Sequence, residues 1–436
     1  MRALNQATEF THLRARPQPI AWVAWASLLS ACMGWMFDAM DLQIFTLILF
    51  PSVSELIGSA NPGLVAYTGG LILAWKLIAW GVGGIAFGVV ADRIGRSKTM
   101  IITVLIYSIF TGLSGLARDW WQLAALQALA GIGIGGEWAA GAALVAETWP
   151  ERSRPRALVA MQMSFAFGFF LAALLNLIIG PIGWRWVLAA GAAPALITLF
   201  IRQFVPEPKR WLAVRYRDPG VARQGVPDTA ARTFLAIFAP GIRRRTIVGV
   251  LVAVAMMIGA WSTMTLLPTW IHQLLGPGGS AGAVKVTSLC FMLINVGAVF
   301  GYLSLIWLTD AIGRRWSYFL IAIGCVATNL CMFTQAATID ELLWFTVVYG
   351  FFSIGGFGIF AVYLPELFPT RIRATGQGFC WNTARVFTAA GPFASGMLVA
   401  AFGSVPKAAV MLTGIYVVGL ISIWFGPETR GMPLQD

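Results

Sequence analysis

Asp38, Asp41, Lys76, Glu137 and Arg385 are ionisable residues set deep in stretches that are otherwise apolar. Asp38 and Asp41 lie three residues apart, so on a helix they share a face. Two carboxylates held close in a low-dielectric interior cannot both be charged cheaply, so one of them can hold a proton at rest and release it when water arrives. The same pair could equally be structural, hydrogen-bonded to neighbouring helices. Glu137 stands thirteen residues before Pro150, about 20 Å by helical rise, and either carries protons or anchors its helix. Arg385 stands twelve residues beyond Arg373, about 18 Å by the same rise, which puts it at matching depth. A guanidinium fork takes a carboxylate through two parallel charge-assisted hydrogen bonds, so Arg385 is the candidate anchor for an anionic substrate. A permanent ion pair with an internal acid is the alternative. Lys76 is a second candidate cation, unless it snorkels to the interface.

Other chemistries find no residues to run on. Cys32, Cys290, Cys325, Cys331 and Cys380 all fall in apolar spans, without a C-x-x-C or Cys/His ligand spacing, and read as small buried hydrophobes. His12 lies in a polar tail, and His272 ends a span where an interfacial role suits it. Gly131, Gly133 and Gly136 match the dinucleotide pattern G-x-G-x-x-G, but that pattern needs a preceding strand and a solvated helix start. Inside an apolar helix, the same glycines let neighbouring helices approach closely. No nucleophile, metal set or phosphate cradle is readable, so neither an enzyme nor a cofactor is expected.

The elements that must position these residues follow from composition. Hydrophobic residues make up 58% of the chain and charged residues 11%, with mean hydropathy +0.77. A soluble domain needs roughly a quarter of its residues charged, and apolar runs here exceed the ~20 residues that cross a bilayer. The expected class is an all-α membrane protein of twelve spans, near 20–50, 64–90, 98–117, 121–148, 157–181, 184–205, 246–271, 284–308, 316–335, 341–366, 374–402 and 407–426. No cleavable signal peptide is expected, since the first apolar run is too long for a signal core. Spans one, two, four and eleven carry the buried charges and should line an interior, leaving three, six, nine and twelve for lipid. Trp35, Trp138, Phe357, Phe360, Tyr363 and Trp381 fall in spans near that interior, where aromatic walls would suit an apolar or aromatic acid, ordinary packing being the alternative.

One half-protein is repeated with an offset of about 219 residues. Asp92-Arg-Ile-Gly95-Arg96 returns as Asp310-Ala-Ile-Gly313-Arg314, and Glu147-Thr-Trp-Pro150-Glu-Arg152-Ser-Arg154 as Glu366-Leu-Phe-Pro369-Thr-Arg371-Ile-Arg373. Pro206-Glu207 is echoed by Pro427-Glu428. The expected divisions are a tail over 1–19, a six-helix half over 20–205, a linker over 206–245, a second half over 246–427 and a tail over 428–436. Part of the linker could lie on the membrane as an amphipathic helix with Trp211 and Phe234 inward. Lysine and arginine crowd the tails, the linker and the repeat motifs, which predicts both termini in the cytoplasm of an inner-membrane protein. The net charge of +12 then meets lipid headgroups, not nucleic acid.

These residues resemble the major facilitator superfamily of secondary transporters over essentially the whole chain. Gly84-Ile-Ala-Phe-Gly88-Val-Val-Ala-Asp92-Arg93-Ile-Gly95-Arg96 is similar to that superfamily's signature between spans two and three. Asp38-Ala-Met-Asp41, the run Gly131 to Trp138 and Asn382-Thr-Ala-Arg385 resemble the sialate, aromatic-acid and monocarboxylate:proton symporters. The endings Pro206-Glu207-Pro-Lys-Arg210 and Pro427-Glu428-Thr-Arg430 also resemble sugar porters. In many relatives an arginine stands where this chain has Gln127, which leaves Arg385 and Lys76 to handle substrate charge. The resemblance implies a monomeric carrier of a small organic anion with a proton, working by alternating access. Asn382, Gln127, Lys76 and Arg385 then face substrate, and Asp38, Asp41 or Glu137 carries the proton. Asp92, Arg93, Gly95, Arg96, Glu147, Arg154, Asp310, Arg314, Glu366 and Arg373 form a cytoplasmic gate, with Asp92 set against the start of span eleven. A sugar carrier, a proton-driven exporter and a sensor that binds without transport are the alternatives.

Overall fold

The computed structural model describes residues 21–59, 61–194, 201, 204–216, 229–275, 280–388 and 391–435. The expected tail over 1–19 and the middle of the linker lie outside them. Among the described residues there is no strand. The first half comprises α1 (Trp22–Ile57), α2 (Pro62–Ile94), α3 (Arg96–Ser114), α4 (Trp120–Thr148), α5 (Arg154–Ile179) and α6 (Trp184–Ala190). Two short helices, α7 (Lys209–Tyr216) and α8 (Ala230–Leu235), belong to the linker. The second half comprises α9 (Arg243–Leu275), α10 (Ser280–Ile312), α11 (Arg314–Gln335), α12 (Ile339–Tyr349), α13 (Gly358–Leu367), α14 (Arg373–Thr388), α15 (Gly391–Phe402), α16 (Val405–Thr413) and α17 (Ile415–Ser422). Among the described residues ten helical stretches are long and apolar enough to cross a membrane, α12 and α13 counting as one through a π turn at Gly350–Ile354 and a 3-10 turn at Gly355–Phe357, and α16 and α17 as one over Val405–Phe425. The sixth span opens with α6, and α14 with α15 make up the eleventh.

The repeat motifs build the same corner twice. Gly95 at φ 115° and Gly313 at φ 87° let one helix stop and the next start with no loop between them. Each corner is clamped by the matching Pro-Glu. Glu207 accepts from the backbone N–H of Arg96 at 2.7 Å, and Glu428 from that of Arg314 at 2.9 Å. Burial pushes Glu428 up, but the N–H groups of Arg314, Arg315, Arg430 and Thr429 outweigh it and hold its carboxyl below the usual range.

The halves meet along two seams, α2 with α14 and α5 with α10. On α2 the close approach depends on absent side chains: a Cβ at Gly88 would come within 2.7 Å of the Ala374 carbonyl. Helix α4 is the most enclosed, with 83% of its apolar window buried against 39% in α5. The expected sorting of spans into lining and lipid-facing does not hold span by span. Helices α1 and α2 bury their charges yet expose Trp25, Leu29, Trp75 and Val82 on their other faces, while α11 is 56% buried. The sorting is by helix face, because a span one helix thick presents both sides.

Trp211 is inward, but against protein. Its Nε1 donates to the Asp92 carbonyl at 2.9 Å, so α7 packs under the end of α2. Phe234 packs edge-on against Phe379.

Candidate functional site

Asp41 and Lys76 form a closed unit at the core of the first half. Lys76 Nζ lies 2.6 Å from Asp41 Oδ2 and donates to Gln127 Oε1 at 2.8 Å. Thr111 donates to Asp41 Oδ1, and Gln127 Nε2 donates to Ser114 Oγ at 3.1 Å. The Phe45 ring lies 5.6 Å from the ammonium. Lys76 is fully buried, so it does not snorkel. The sequence groups Asp41 with Asp38; the structure gives Asp41 a cation of its own, because a pair separated by thirty-five residues depends on how α1 and α2 face each other. Lys76 and Gln127 are likewise spent on protein partners and not left open for a substrate.

Asp38 and Glu137, both buried, and Arg385, half-buried with its Nε enclosed, are different: each has bonding capacity unfilled. Both carboxylate oxygens of Asp38 lack a hydrogen-bond partner. Glu137 accepts from Thr103 Oγ1 at 2.7 Å through Oε2, while Oε1 has none. That free oxygen lies over α1, where a Cβ at Gly34 would come within 1.9 Å of it. Arg385 sits 3.8 Å over the Trp80 ring with Nε unpaired, and among the described residues it makes no ion pair. Asn382, one turn back, donates to the Gly378 carbonyl at 2.9 Å and leaves Oδ1 unpaired. Buried polar atoms are nearly always satisfied, so a cluster of unsatisfied ones on both sides of the midline is where a guest would bind.

Aromatic rings roof this cluster. Trp138 and Trp381 stack with centroids 4.6 Å apart, Trp35 lies 6.4 Å from Trp138, and Phe360 lies 5.5 Å from Trp381. Phe357 meets Trp381 edge-on at 5.9 Å. Tyr363 is elsewhere, donating to the Pro427 carbonyl at 3.0 Å. Trp80, Thr103 and Gly34 escape a reading for charge and motif, since an indole, a hydroxyl and a missing side chain carry no signal until the helices are in place.

At the face that carries the linker, the gate residues form two latches. Glu147 receives Arg96 at 2.9 Å and, across the seam, Arg373 at 2.8 Å. Arg96 also donates to the Thr370 carbonyl at 2.7 Å. Asp92 accepts from the backbone N–H of Ala374 at 3.2 Å and of Thr375 at 2.8 Å, and from Thr375 Oγ1 at 2.7 Å. In the second half Arg314 holds Glu366 through two bonds, at 2.8 and 2.9 Å. The copies differ across the seam. Asp310 is 35% exposed; it pairs with Arg314 of its own half at 3.8 Å and across the seam, among the described residues, reaches Arg156 at 3.9 Å. Arg154 pairs with Glu151 at 3.6 Å and not with Glu366, the residue in the place of Glu147. Arg93 is half-buried, its carbonyl accepting from Arg215. The sequence does not signal a further tie: the Gln435 carbonyl accepts from Thr370 N–H at 2.9 Å and Arg373 Nη2 at 2.9 Å, with Leu434 buried beside them.

Residues 58–436 match the sugar (and other) transporter family. Among curated proteins, a metabolite transport protein of Haemophilus influenzae is 30% identical over 94% of this chain and 98% of its own. The cis,cis-muconate transport protein of Acinetobacter baylyi is 28% identical over 94% and 96%. Among solved structures, the proton:xylose symporter XylE superposes with a TM-score of 0.77 at 20% identity, over 94% of this chain and 97% of that one. At that identity the likeness speaks for the fold.

Proposed function

Because the chain belongs to the sugar (and other) transporter family of the major facilitator superfamily, we propose that it carries a small organic acid with a proton by alternating access. It is a multi-pass membrane transporter, not an enzyme. The observation that carries the reading is the meeting of Arg385, with an unpaired Nε, and two acids with unpaired oxygens, Asp38 and Glu137, at the junction of the halves. A substrate carboxylate takes the guanidinium, with Asn382 beside it. Asp38, with Glu137 as its neighbour, takes the proton, since a buried carboxyl that accepts no hydrogen bond is far cheaper to bury neutral than charged. The relative named for cis,cis-muconate, a dicarboxylate, supports the substrate class.

The linker face is the cytoplasmic one in this reading, since lysine and arginine concentrate there. The latches of Asp92 and Glu147 then close the inside, and the site opens outward first. The membrane is the inner membrane, and a single chain supplies both halves of the site. Uptake into proteoliposomes, using labelled monocarboxylates, dicarboxylates and sugars with and without an inward proton gradient, tests this. Acid uptake that rises with the gradient is expected. Uptake of sugars alone, or acid uptake indifferent to the gradient, would overturn it.

A further inference from the structure

Trp138 on α4 and Trp381 on α14 come from different halves, yet their rings overlap face to face, with planes 16° from parallel. Both rings are buried, at 0% and 2% exposure. They are held unequally. Trp138 is pinned, its Nε1 donating to Gln162 Oε1 at 2.9 Å. The Trp381 Nε1 is buried without a partner, so nothing polar fixes that ring in place. One turn further along α14 lies Arg385, its guanidinium 5.9 Å from the Trp381 ring and its Nε unpaired. Two parallel π-faces on opposite halves thus stand beside an unfilled N–H and an unfilled guanidinium.

We propose that Trp138 and Trp381 form a clamp that selects substrate by flatness, a planar conjugated acid entering between the rings with its carboxylate toward Arg385. This rests on the organic-acid reading above. Two ring-to-guest contacts at about 3.5 Å each need roughly 7 Å between the rings. The stack must therefore widen by about 2 Å, a displacement that a small rocking of one half against the other supplies. With no guest present, each ring covers the other's face. A flat guest replaces that contact with two. A saturated ring of the same size and charge is puckered and presents C–H bonds, so it forces the rings further apart and forfeits the π contact on both faces. The selection acts on the body of the substrate, while Arg385 reads only the carboxylate.

Benzoate and cyclohexanecarboxylate isolate the effect, having the same charge and nearly the same size. Calorimetry on the purified full-length carrier should give benzoate about tenfold tighter binding, from stacking on two faces. Trp381→Leu and Trp138→Leu should each bring that ratio close to one. Trp381→Phe, which keeps a smaller face and guards against a folding defect, should retain most of the preference. Equal binding by the wild type, or a preference that survives both leucine variants, would overturn the clamp and leave the organic-acid reading standing. Failure of both acids to bind alongside tight binding of a sugar would overturn that reading and the clamp with it.

Discussion

A fully buried lysine is tolerated only where acceptors surround it, and Lys76 has the Asp41 carboxylate and the Gln127 amide. Stranding one charge of such a pair costs about 3–5 kcal/mol, whereas replacing both with apolar residues of similar volume is often neutral or better. Lys76→Met should therefore lower the melting temperature in detergent, and Lys76→Met/Asp41→Leu should recover most of the loss. A double variant as unstable as the single would mean that the two charges do not act as a unit. Asp38 has no such partner, so Asp38→Asn should fold normally and mimic the protonated acid. Counterflow exchange should persist in it while gradient-driven accumulation fails; normal accumulation would move the proton to Glu137. Arg385→Lys keeps the charge but loses the fork and the broad contact with Trp80. Its substrate affinity should fall at least about tenfold, and Arg385→Ala should not transport. Undiminished affinity in the alanine variant would reduce Arg385 to a packing residue.

At the scale of elements, α2 meets the first turn of α14 through the Asp92 carboxylate, where backbone N–H groups and the helix dipole favour a negative charge. Asp92→Asn should loosen that seam without touching the substrate site. A cysteine at Ala139, which packs against Gly378 across the seam, reports the change. We expect faster alkylation of Ala139→Cys from the linker face in the Asp92→Asn background, slower transport and nearly unchanged binding. Unchanged alkylation with lost transport would make Asp92 a folding residue. Much of this face was legible in the sequence, because charged motifs amid apolar runs stand out and the repeat states them twice. The interior was less so. Which acid Lys76 takes depends on the relative rotation of α1 and α2, and uniformly apolar helices leave that phase unmarked. The π turn at Gly350–Ile354 and the seat of Leu434 and Gln435 arise from packing alone.

The whole molecule is two similar halves joined unequally. Each half repeats the same corner, arginine to glutamate, with a Pro-Glu clamp at the helix start. Across the midline only one copy holds fast: Asp92 accepts three hydrogen bonds from α14, while Asp310 stays half in solvent near Arg156. The α2–α14 seam is thus the bolted one, and α5–α10 the seam with fewer polar ties on this face. Duplication made the pattern visible in sequence, but not its breakage, since Asp310 and Glu366 keep the residue types of Asp92 and Glu147 and differ in what reaches them across the seam.

The Lys76–Asp41 pair has an electrical consequence. Among the described residues, the charged side chains at the substrate site beyond that self-cancelling pair are half-buried Arg385 and buried Asp38 and Glu137. With one proton on the two acids, the empty site is neutral. With a monoanion bound and a second proton taken up, it is neutral again. Neither the loaded nor the returning carrier then moves net charge across the field, which would otherwise act with about 2.3 kcal/mol per charge at 100 mV. Monoanion uptake should be driven by the pH difference and stay indifferent to a potassium–valinomycin voltage, whereas a current on a solid-supported membrane would show that more than one proton is transported with each anion.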